Sequence, residues 1–264
     1  MPLSSGLSGA RVLVTAASQG IGLGAATAFL AEGARVVVNS SSKDRLARAT
    51  HDLASLGEVH GVVADLRERA ELDRLLAETV GHLGGLDTLV YVTGSPRPGV
   101  FMDQSYDDWS SAANLLVVSP AYLARRAAEA MLTGGGKGRM VFLTSVAIRE
   151  PIPNIATSSV CRIAVAGLVR TLARELGPKG IRVNGILPGY IQTGRVDEVL
   201  SDVARRRGTT LEAERSALER EIPLGRVGTT EELARAVLFL GSEMSSYVSG
   251  ALLPVDGALL RSVG

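Results

Sequence analysis

A glycine-containing segment near the start of the chain has the residue types and spacing of a phosphate-binding turn. Gly20, Gly22 and Ala25 fit G-x-G-x-x-G/A directly after the apolar run 12–14. The glycines permit a tight turn, and the helix that follows offers free N–H groups and a partial positive charge at its N-terminus. The segment therefore predicts binding of a dinucleotide pyrophosphate. The alternative is a glycine turn needed only for close packing.

Other kinds of reactive site find little support in the sequence. His51, His60 and His82 are scattered through polar stretches, which favours surface positions. Cys161 is the single cysteine, which excludes an internal disulfide, and we interpret it as a small buried residue rather than a nucleophile. Because no Cys/His cluster has zinc-ligand spacing, we predict no metal.

Composition excludes several classes of protein. Of the 264 residues, 46% are hydrophobic, which is enough for a large core and unlike a disordered chain. The net charge of +1 argues against nucleic acid or anionic membrane as a partner. We see no signal peptide and no uninterrupted apolar run near the roughly 18 residues of a membrane span. We therefore expect a cytoplasmic protein.

Short apolar runs alternate with helical patterns, which is typical of a parallel sheet covered on both faces. Strands are predicted over 12–14, 36–38, 59–63, 86–92, 140–143, 181–187 and 251–255, and helices over 23–32, 43–56, 67–82, 106–131 and 155–176. The fold class is α/β, a single doubly wound Rossmann-type domain over 1–264 with a seven-stranded, mostly parallel sheet. The polar stretch 194–221 predicts a helical, lid-like insertion.

The chain resembles the short-chain dehydrogenase/reductase family from Arg11 to about Ala258. That family's opening, T-G-x-x-x-G-I-G, is matched by Thr15, Gly20, Ile21 and Gly22. Further matches are Asp65 (beside the adenine ring in the family), Asn114 (mid-helix), Ser145 (active site), the P-G loop 187–193 and the closing segments 246–250 and 255–257. The turn and the resemblance together predict these cofactor-binding residues: Thr15, Ser18, Gln19, Gly20, Ile21, Gly22, Asn39, Ser40, Ser41, Lys43, Asp65, Leu66, Gly94, Pro188, Gly189, Ile191 and Thr193.

Two departures from the family affect its cofactor loops. Ala16 replaces the first glycine of the turn, which costs about 1–2 kcal/mol if φ is positive there. After the fourth strand the family usually carries N-N-A-G, and only Gly94 of that motif remains. Two prolines, Pro96 and Pro98, stiffen the loop that follows.

A third departure concerns the chemistry. Ser158 and Arg162 occupy the tyrosine and lysine positions of the family's Y-x-x-x-K, on one helix face. A serine hydroxyl is a far weaker acid than a phenol, and an arginine does not give up its proton. The resemblance implies Asn114, Ser145, Ser158 and Arg162 at the catalytic positions. Ser145 would bind the substrate oxygen, and Arg162 would orient ribose hydroxyls or an anionic group.

Alternative roles exist for several of these side chains. Ser158 and Arg162 could be ordinary exposed helix residues. Tyr91 and Tyr190 are nearby phenols that could substitute for the missing one, although packing against the cofactor explains each of them better. Arg97, Arg149 and Arg195 are further candidates for contact with an anionic group.

The second predicted strand ends without the acid that an NAD site places against the ribose 2′-OH. Its hydroxyls and Lys43 could hold a 2′-phosphate instead, which favours NADP, with NAD as the alternative.

The resemblance implies an oxidoreductase that transfers a hydride between a nicotinamide cofactor and a small carbonyl or alcohol substrate. The alternatives are a non-redox lyase or cyclase, or a catalytically silent nucleotide-binding subunit.

Small residues on 154–177 permit close helix approach. The family resemblance implies that this segment and 106–131 form the subunit interface of a homodimer or homotetramer.

Overall fold

Residues 4–262 are described in a computed structural model, except for the side chain of Arg195. The strands are β1 (Arg11–Val14), β2 (Arg35–Ser40), β3 (Val59–Val63), β4 (Thr88–Tyr91), β5 (Gly138–Leu143), β6 (Ile181–Pro188) and β7 (Leu252–Val255). They form one sheet in the order β3-β2-β1-β4-β5-β6-β7, and each neighbouring pair among the described residues is parallel. The predicted doubly wound α/β fold is confirmed.

Helices connect the strands. They are α1 (Gly20–Ala31), α2 (Lys43–Leu53), α3 (Arg69–Leu83), α4 (Tyr106–Ala113), α5 (Ser119–Thr133), α6 (Ala156–Leu176), α7 (Gly194–Arg207), α8 (Leu211–Glu221) and α9 (Thr230–Leu240). The predicted insertion at 194–221 is the helix pair α7 and α8, which packs through the small buried cluster of Leu200, Leu218, Ile222 and Val227.

Two apolar layers enclose the sheet, one on each face. Alternation along β1 shows the division, because Leu13 points to one layer while Val12 and Val14 point to the other. Helices α3, α5 and α6 cover the Leu13 face, and α1, α2 and α9 cover the opposite face. Both faces of the central strands are therefore buried, which explains their nearly continuous valine and leucine runs.

One helical prediction was wrong, and one helix was missed. The single helix expected over 106–131 is interrupted by a π-helical segment, Asn114–Val118, where the Ser119 hydroxyl donates to the Asn114 carbonyl at 2.8 Å. Helix α9 was not predicted at all. Its signal is a capping box, in which Thr229 accepts from the Glu232 backbone N–H and the Glu232 carboxylate accepts from the Thr229 N–H.

Helix α6 is apolar on average, although it has no uninterrupted apolar run of membrane-spanning length. The segment Ala156–Lys179 is long and apolar enough, by length and composition alone, to cross a membrane. Arginines divide this segment, so it contains no long uninterrupted apolar run. Core helices pass the same test, and α6 packs its buried face on the sheet through Val165 and Val169.

Candidate active site

The phosphate-binding turn has the geometry that its sequence predicts. The Gln19 side chain does not cap α1, so the first N–H groups of this helix are left for an external acceptor. Gly22 packs so tightly that an added Cβ would lie 2.4 Å from the Ala16 carbonyl oxygen. Gly20 has φ +55°, and a Cβ there would lie 3.4 Å from the Thr193 methyl group. The turn and the P-G loop therefore lie directly against each other at this point.

Ala16 adopts a left-handed backbone conformation, which glycine adopts more easily than alanine. Its φ is +47°, so the Cβ costs about 1–2 kcal/mol at this site. The Ala16 N–H is 3.3 Å from the Asn39 side-chain oxygen, which helps to hold the turn in this conformation.

Two residues predicted to contact the cofactor use their polar side-chain atoms within the protein. Thr15 is fully buried, and its hydroxyl donates to the Val92 carbonyl at 2.5 Å and accepts from the Val92 N–H at 2.9 Å. Asn39 is 1% exposed, and its amide donates to the Val62 and Ala64 carbonyls. Because their polar atoms are used within the protein, we assign both to supporting the turn rather than to touching the cofactor.

The end of β2 presents hydroxyls and a lysine. Ser18 and Ser40 are linked through their hydroxyls at 2.9 Å, and Ser42 caps α2 by accepting from the Arg45 N–H. Ser41 and Lys43 are exposed at the start of α2. Of the predicted residues here, these two have the freedom to meet a ligand.

The predicted adenine-side loop carries an ion pair that the sequence analysis missed. Asp65 lies 2.6 Å from Arg67, and this contact holds the pKa of the Asp65 carboxyl below its usual value. Leu66 is buried between them. The Asn114 amide donates to the Arg67 carbonyl at 3.0 Å. Asn114 therefore positions this loop and makes no hydrogen bond to the other predicted catalytic side chains.

The P-G loop is fixed from two sides. The Gly189 N–H donates to the Val255 carbonyl at 3.0 Å, and the Gln192 N–H donates to the Gly228 carbonyl at 2.7 Å. Ile191 is buried against the α1, α9 layer. Gly94 is exposed at the end of β4, with open space where a Cβ would stand.

Ser158 and Arg162 are buried, so the alternative that they are ordinary exposed residues is wrong. Each is 7% exposed, and the Arg162 Nε donates to the Ser158 Oγ at 3.1 Å. The Arg162 Nη1 lies 3.2 Å from the carbonyl oxygens of Leu143 and Thr144, directly before Ser145. The half-buried Ser145 accepts from the Ala147 N–H at 3.1 Å. Three of the four predicted catalytic positions thus meet at the end of β5.

Strand ends explain why the guanidinium binds those two carbonyls. The Thr144 N–H donates to the Ile186 carbonyl, and the next donor along β6 would be Pro188, which has no N–H. On the other side of β5, strand β4 has already ended at Tyr91. Arg162 therefore completes the hydrogen bonding at the end of β5, a role that the local sequence did not reveal.

The surroundings of Arg162 leave its charge without a counterion. Among residues 4–262 no carboxylate lies within 4 Å of it, and the titratable groups that act on it are Tyr91 and Cys161. Burial lowers the pKa of the Arg162 guanidinium to about 10, so the side chain remains charged at neutral pH. Burial also raises the pKa values of Tyr91 and Cys161, so both stay neutral there.

Neither candidate phenol is placed to act as an acid. Tyr91 is 2% exposed and its hydroxyl donates to the Leu115 carbonyl at 3.3 Å. Tyr190 is half-buried against the α7, α8 cluster, and burial raises its pKa. Of the other arginines, Arg97 pairs with Asp108 at 3.1 Å and Arg149 reaches the Leu252 carbonyl at 3.5 Å. The side chain of Arg195 lies outside the described part of the chain.

The comparisons with known proteins agree with this geometry. A family profile described as "Enoyl-(Acyl carrier protein) reductase" matches residues 15–259. Glucose 1-dehydrogenase of Gluconobacter oxydans is 34% identical over 260 residues, covering 98% of this chain and 94% of that protein. The chain belongs to the short-chain dehydrogenase/reductase family. The family resemblance stated from the sequence is confirmed.

Two further relatives extend the match. A 3-oxoacyl-(acyl carrier protein) reductase of Thermotoga maritima is 31% identical over 96% of this chain and 99% of that protein. The crystal structure of L-sorbose reductase from Gluconobacter frateurii, in complex with NADPH and L-sorbose, has a TM-score of 0.94 at 29% identity. It covers 99% of this chain and 100% of that chain. The predicted class, a nicotinamide-dependent oxidoreductase acting on a small molecule, is confirmed.

Proposed function

We propose that this short-chain dehydrogenase/reductase family member reduces a small carbonyl compound with NADPH, or oxidises the matching alcohol, without a proton donor from the protein. The observation that carries the proposal is the meeting of Ser145, Ser158 and Arg162 at the end of β5, on the same side of the sheet as the uncapped α1 N-terminus. The N-terminus of α1, beside the P-G loop, suits a dinucleotide pyrophosphate because its first N–H groups have no side-chain cap.

The end of β2 favours NADP over NAD. Ser41 and Lys43 are exposed there, and Asp44, in the first turn of α2, is the nearest acid in the sequence. A lysine ammonium and free hydroxyls suit a 2′-phosphate, whereas a 2′-OH is usually held by a carboxylate at the strand end. The relative that contains NADPH, L-sorbose reductase, supports the same choice.

When bound, the cofactor would supply or accept the hydride at the carbonyl carbon. Ser158 accepts a hydrogen bond from Arg162, so its own proton is free to be donated to the substrate oxygen. The Ser145 hydroxyl is the second donor, and the fixed charge of Arg162 stabilises the developing oxyanion. Water then gives its proton to that oxygen, since neither serine nor arginine releases one at neutral pH.

Calorimetric titration with NADP⁺, NADPH, NAD⁺ and NADH tests the cofactor assignment. We expect binding of the NADP forms to be tighter, and Lys43→Gln to remove the preference while leaving NAD affinity unchanged. Following nicotinamide absorbance with NADPH and a panel of carbonyl compounds tests turnover. Tight nucleotide binding without oxidation of NADPH by any compound would favour the silent subunit or the non-redox enzyme.

The outer face formed by the π-helical segment Asn114–Val118 and α6 supports the assembly predicted from the sequence. Val118, Val160 and Ile163 are each more than half exposed although they are apolar. Such a patch is typical of a protein interface. We propose a homodimer or homotetramer through this face, which sedimentation equilibrium of the protein and of Ile163→Glu would test. The cytoplasmic location stays a prediction.

A further inference from the structure

One donor of the buried Arg162 guanidinium is not used inside the protein. Nε is bound to the Ser158 hydroxyl and Nη1 to two backbone carbonyls, while Nη2 makes no hydrogen bond to any residue from 4 to 262. The side chain is nonetheless 93% buried, being 7% exposed. Nη2 is not one of the fully buried polar atoms without a partner, so this donor is open to solvent and can reach a ligand, although the rest of the side chain is enclosed.

The three bonds that Arg162 does make are all to neutral oxygens. Its neighbours Tyr91 and Cys161 are uncharged at neutral pH, and no described carboxylate is within 4 Å. A full positive charge therefore stands uncompensated beside Ser145 and Ser158. Charges interact far more strongly in such a poorly solvated place than in water, so a ligand that brings a negative charge gains the most there.

We propose that Arg162 makes this site selective for substrates that carry a carboxylate next to the reacting carbonyl, namely 2-oxo or 3-oxo acids and the corresponding hydroxy acids. Nη2 donates to the carboxylate, and Ser145 and Ser158 bind the carbonyl oxygen. The inference rests on the proposed function for the reaction class. It specifies that the preferred substrate is negatively charged, unlike neutral carbonyl compounds such as sugars.

Nη2 suits this role because of how Arg162 is held. The bonds to Leu143, Thr144 and Ser158 fix the plane of the guanidinium from two sides, so little side-chain freedom is lost when a ligand binds. A lysine ammonium at this position would provide a charge but not this fixed fork of donors.

The test measures binding rather than turnover. With saturating NADP⁺ present, so that no reduction occurs, calorimetry compares 2-oxobutanoate and 3-oxobutanoate with their methyl esters. We expect the better carboxylate to bind about 10- to 100-fold more tightly than its ester, the range for one charge-assisted hydrogen bond. The preference should fall to about threefold or less in Arg162→Gln and largely persist in Arg162→Lys.

Arg149→Gln is the matched control, because it removes a half-buried arginine that follows the same strand end. It should leave the preference unchanged. Equal affinity of acid and ester in the wild type, no detectable binding of either acid, or loss of the preference in Arg149→Gln alone overturns the inference. Absence of NADP⁺ binding in the preceding titration instead overturns the proposed function, so the two failures are separable.

Discussion

The ends of the strands on the two sides of the sheet hold arginine in opposite ways. At the amino edge, Arg11, Arg35, Arg139 and Arg182 stand at the starts of four strands, in register as the pairs Arg11–Arg35 and Arg139–Arg182. Each faces a carboxylate: Asp87 for Arg11, Glu58 for Arg35, and Glu243 for both of the others. At the carboxyl edge, Arg162 has none within 4 Å among the described residues.

The carboxylates at the amino edge have pKa values below their usual range. Burial acts to raise the pKa of Asp87 and of Glu243, yet their arginine partners hold both below the usual value. Hydrogen bonds from Arg35 lower the pKa of Glu58 to about 2. Burial prevails for Arg182 and lowers its pKa in spite of Glu243, and it does the same for Arg162 at the opposite edge, where no carboxylate opposes it. One edge is thus neutralised within the protein, and the other keeps a charge available for a ligand.

The largest effect is expected when the carboxyl edge is given the family's usual pair. Ser158→Tyr with Arg162→Lys introduces a phenol beside a cation that can lower its pKa. General acid catalysis should then raise kcat for carbonyl reduction by about 10²–10⁴-fold. Turnover of NADPH with the best carbonyl compound measures the change.

The pH profile provides the control for that variant. The wild type should reduce its substrate at a rate that changes little between about pH 6 and 8, because Tyr91 and Cys161 remain protonated and Arg162 charged. The double variant should lose activity as the pH rises through the phenol pKa. Unchanged turnover in a correctly folded double variant would show that these positions do not limit proton transfer.

Removing a carboxylate at the amino edge should affect stability alone. Glu243→Gln leaves Arg139, which is 8% exposed, without its charged partner and also weakens the contact with Arg182. We expect a loss of about 1–3 kcal/mol in the free energy of unfolding, measured with urea, and unchanged NADP⁺ affinity. Glu212→Gln, at an exposed position on α8, is the control with little expected effect. Loss of cofactor affinity in Glu243→Gln would contradict the separation of the two edges.

Ala16→Gly tests whether the carboxyl edge also stores backbone strain. Releasing the Cβ at φ +47° should stabilise the protein by roughly 1 kcal/mol, after allowing for the greater freedom of glycine in the unfolded chain. The neighbouring Ala17→Gly has no positive φ to relieve and removes a buried methyl, so it should destabilise. Urea unfolding of both variants gives the comparison, and an equal loss in both would exclude strain at Ala16.

The smallest effect concerns Glu58. Because its pKa is about 2 when folded and near 4.5 when unfolded, its pair with Arg35 stabilises the fold above pH 4.5. That contribution should fade as the pH drops towards 2. The difference between the wild type and Glu58→Gln should therefore be small at pH 7, since the pair is half exposed, and smaller at pH 3.5. A difference that grows on acidification would contradict this.

Much of the fold was predictable because it depends on local periodicity. Apolar runs such as 36–38 and 59–63, divided by helical patterns, are sufficient to indicate a covered parallel sheet. The interruption at Asn114–Val118 could not be predicted in this way, because a five-residue π segment is too short to have a recognisable periodicity of its own. Helix α9 did carry a local signal, the spacing T-x-x-E of Thr229 and Glu232, which was overlooked.

For the site, the sequence by itself determined residue types and their order: a glycine turn, Ser145, and serine and arginine in place of Y-x-x-x-K. Only the tertiary structure decided that the Thr15 and Asn39 side chains bond to backbone groups of the protein, and that Asp65 is paired with Arg67. It alone showed that Pro188 leaves a carbonyl for Arg162 to bind. The physical reason is that hydrogen-bond partners and counterions are set by which strand ends meet, and spacing along one chain does not contain that information.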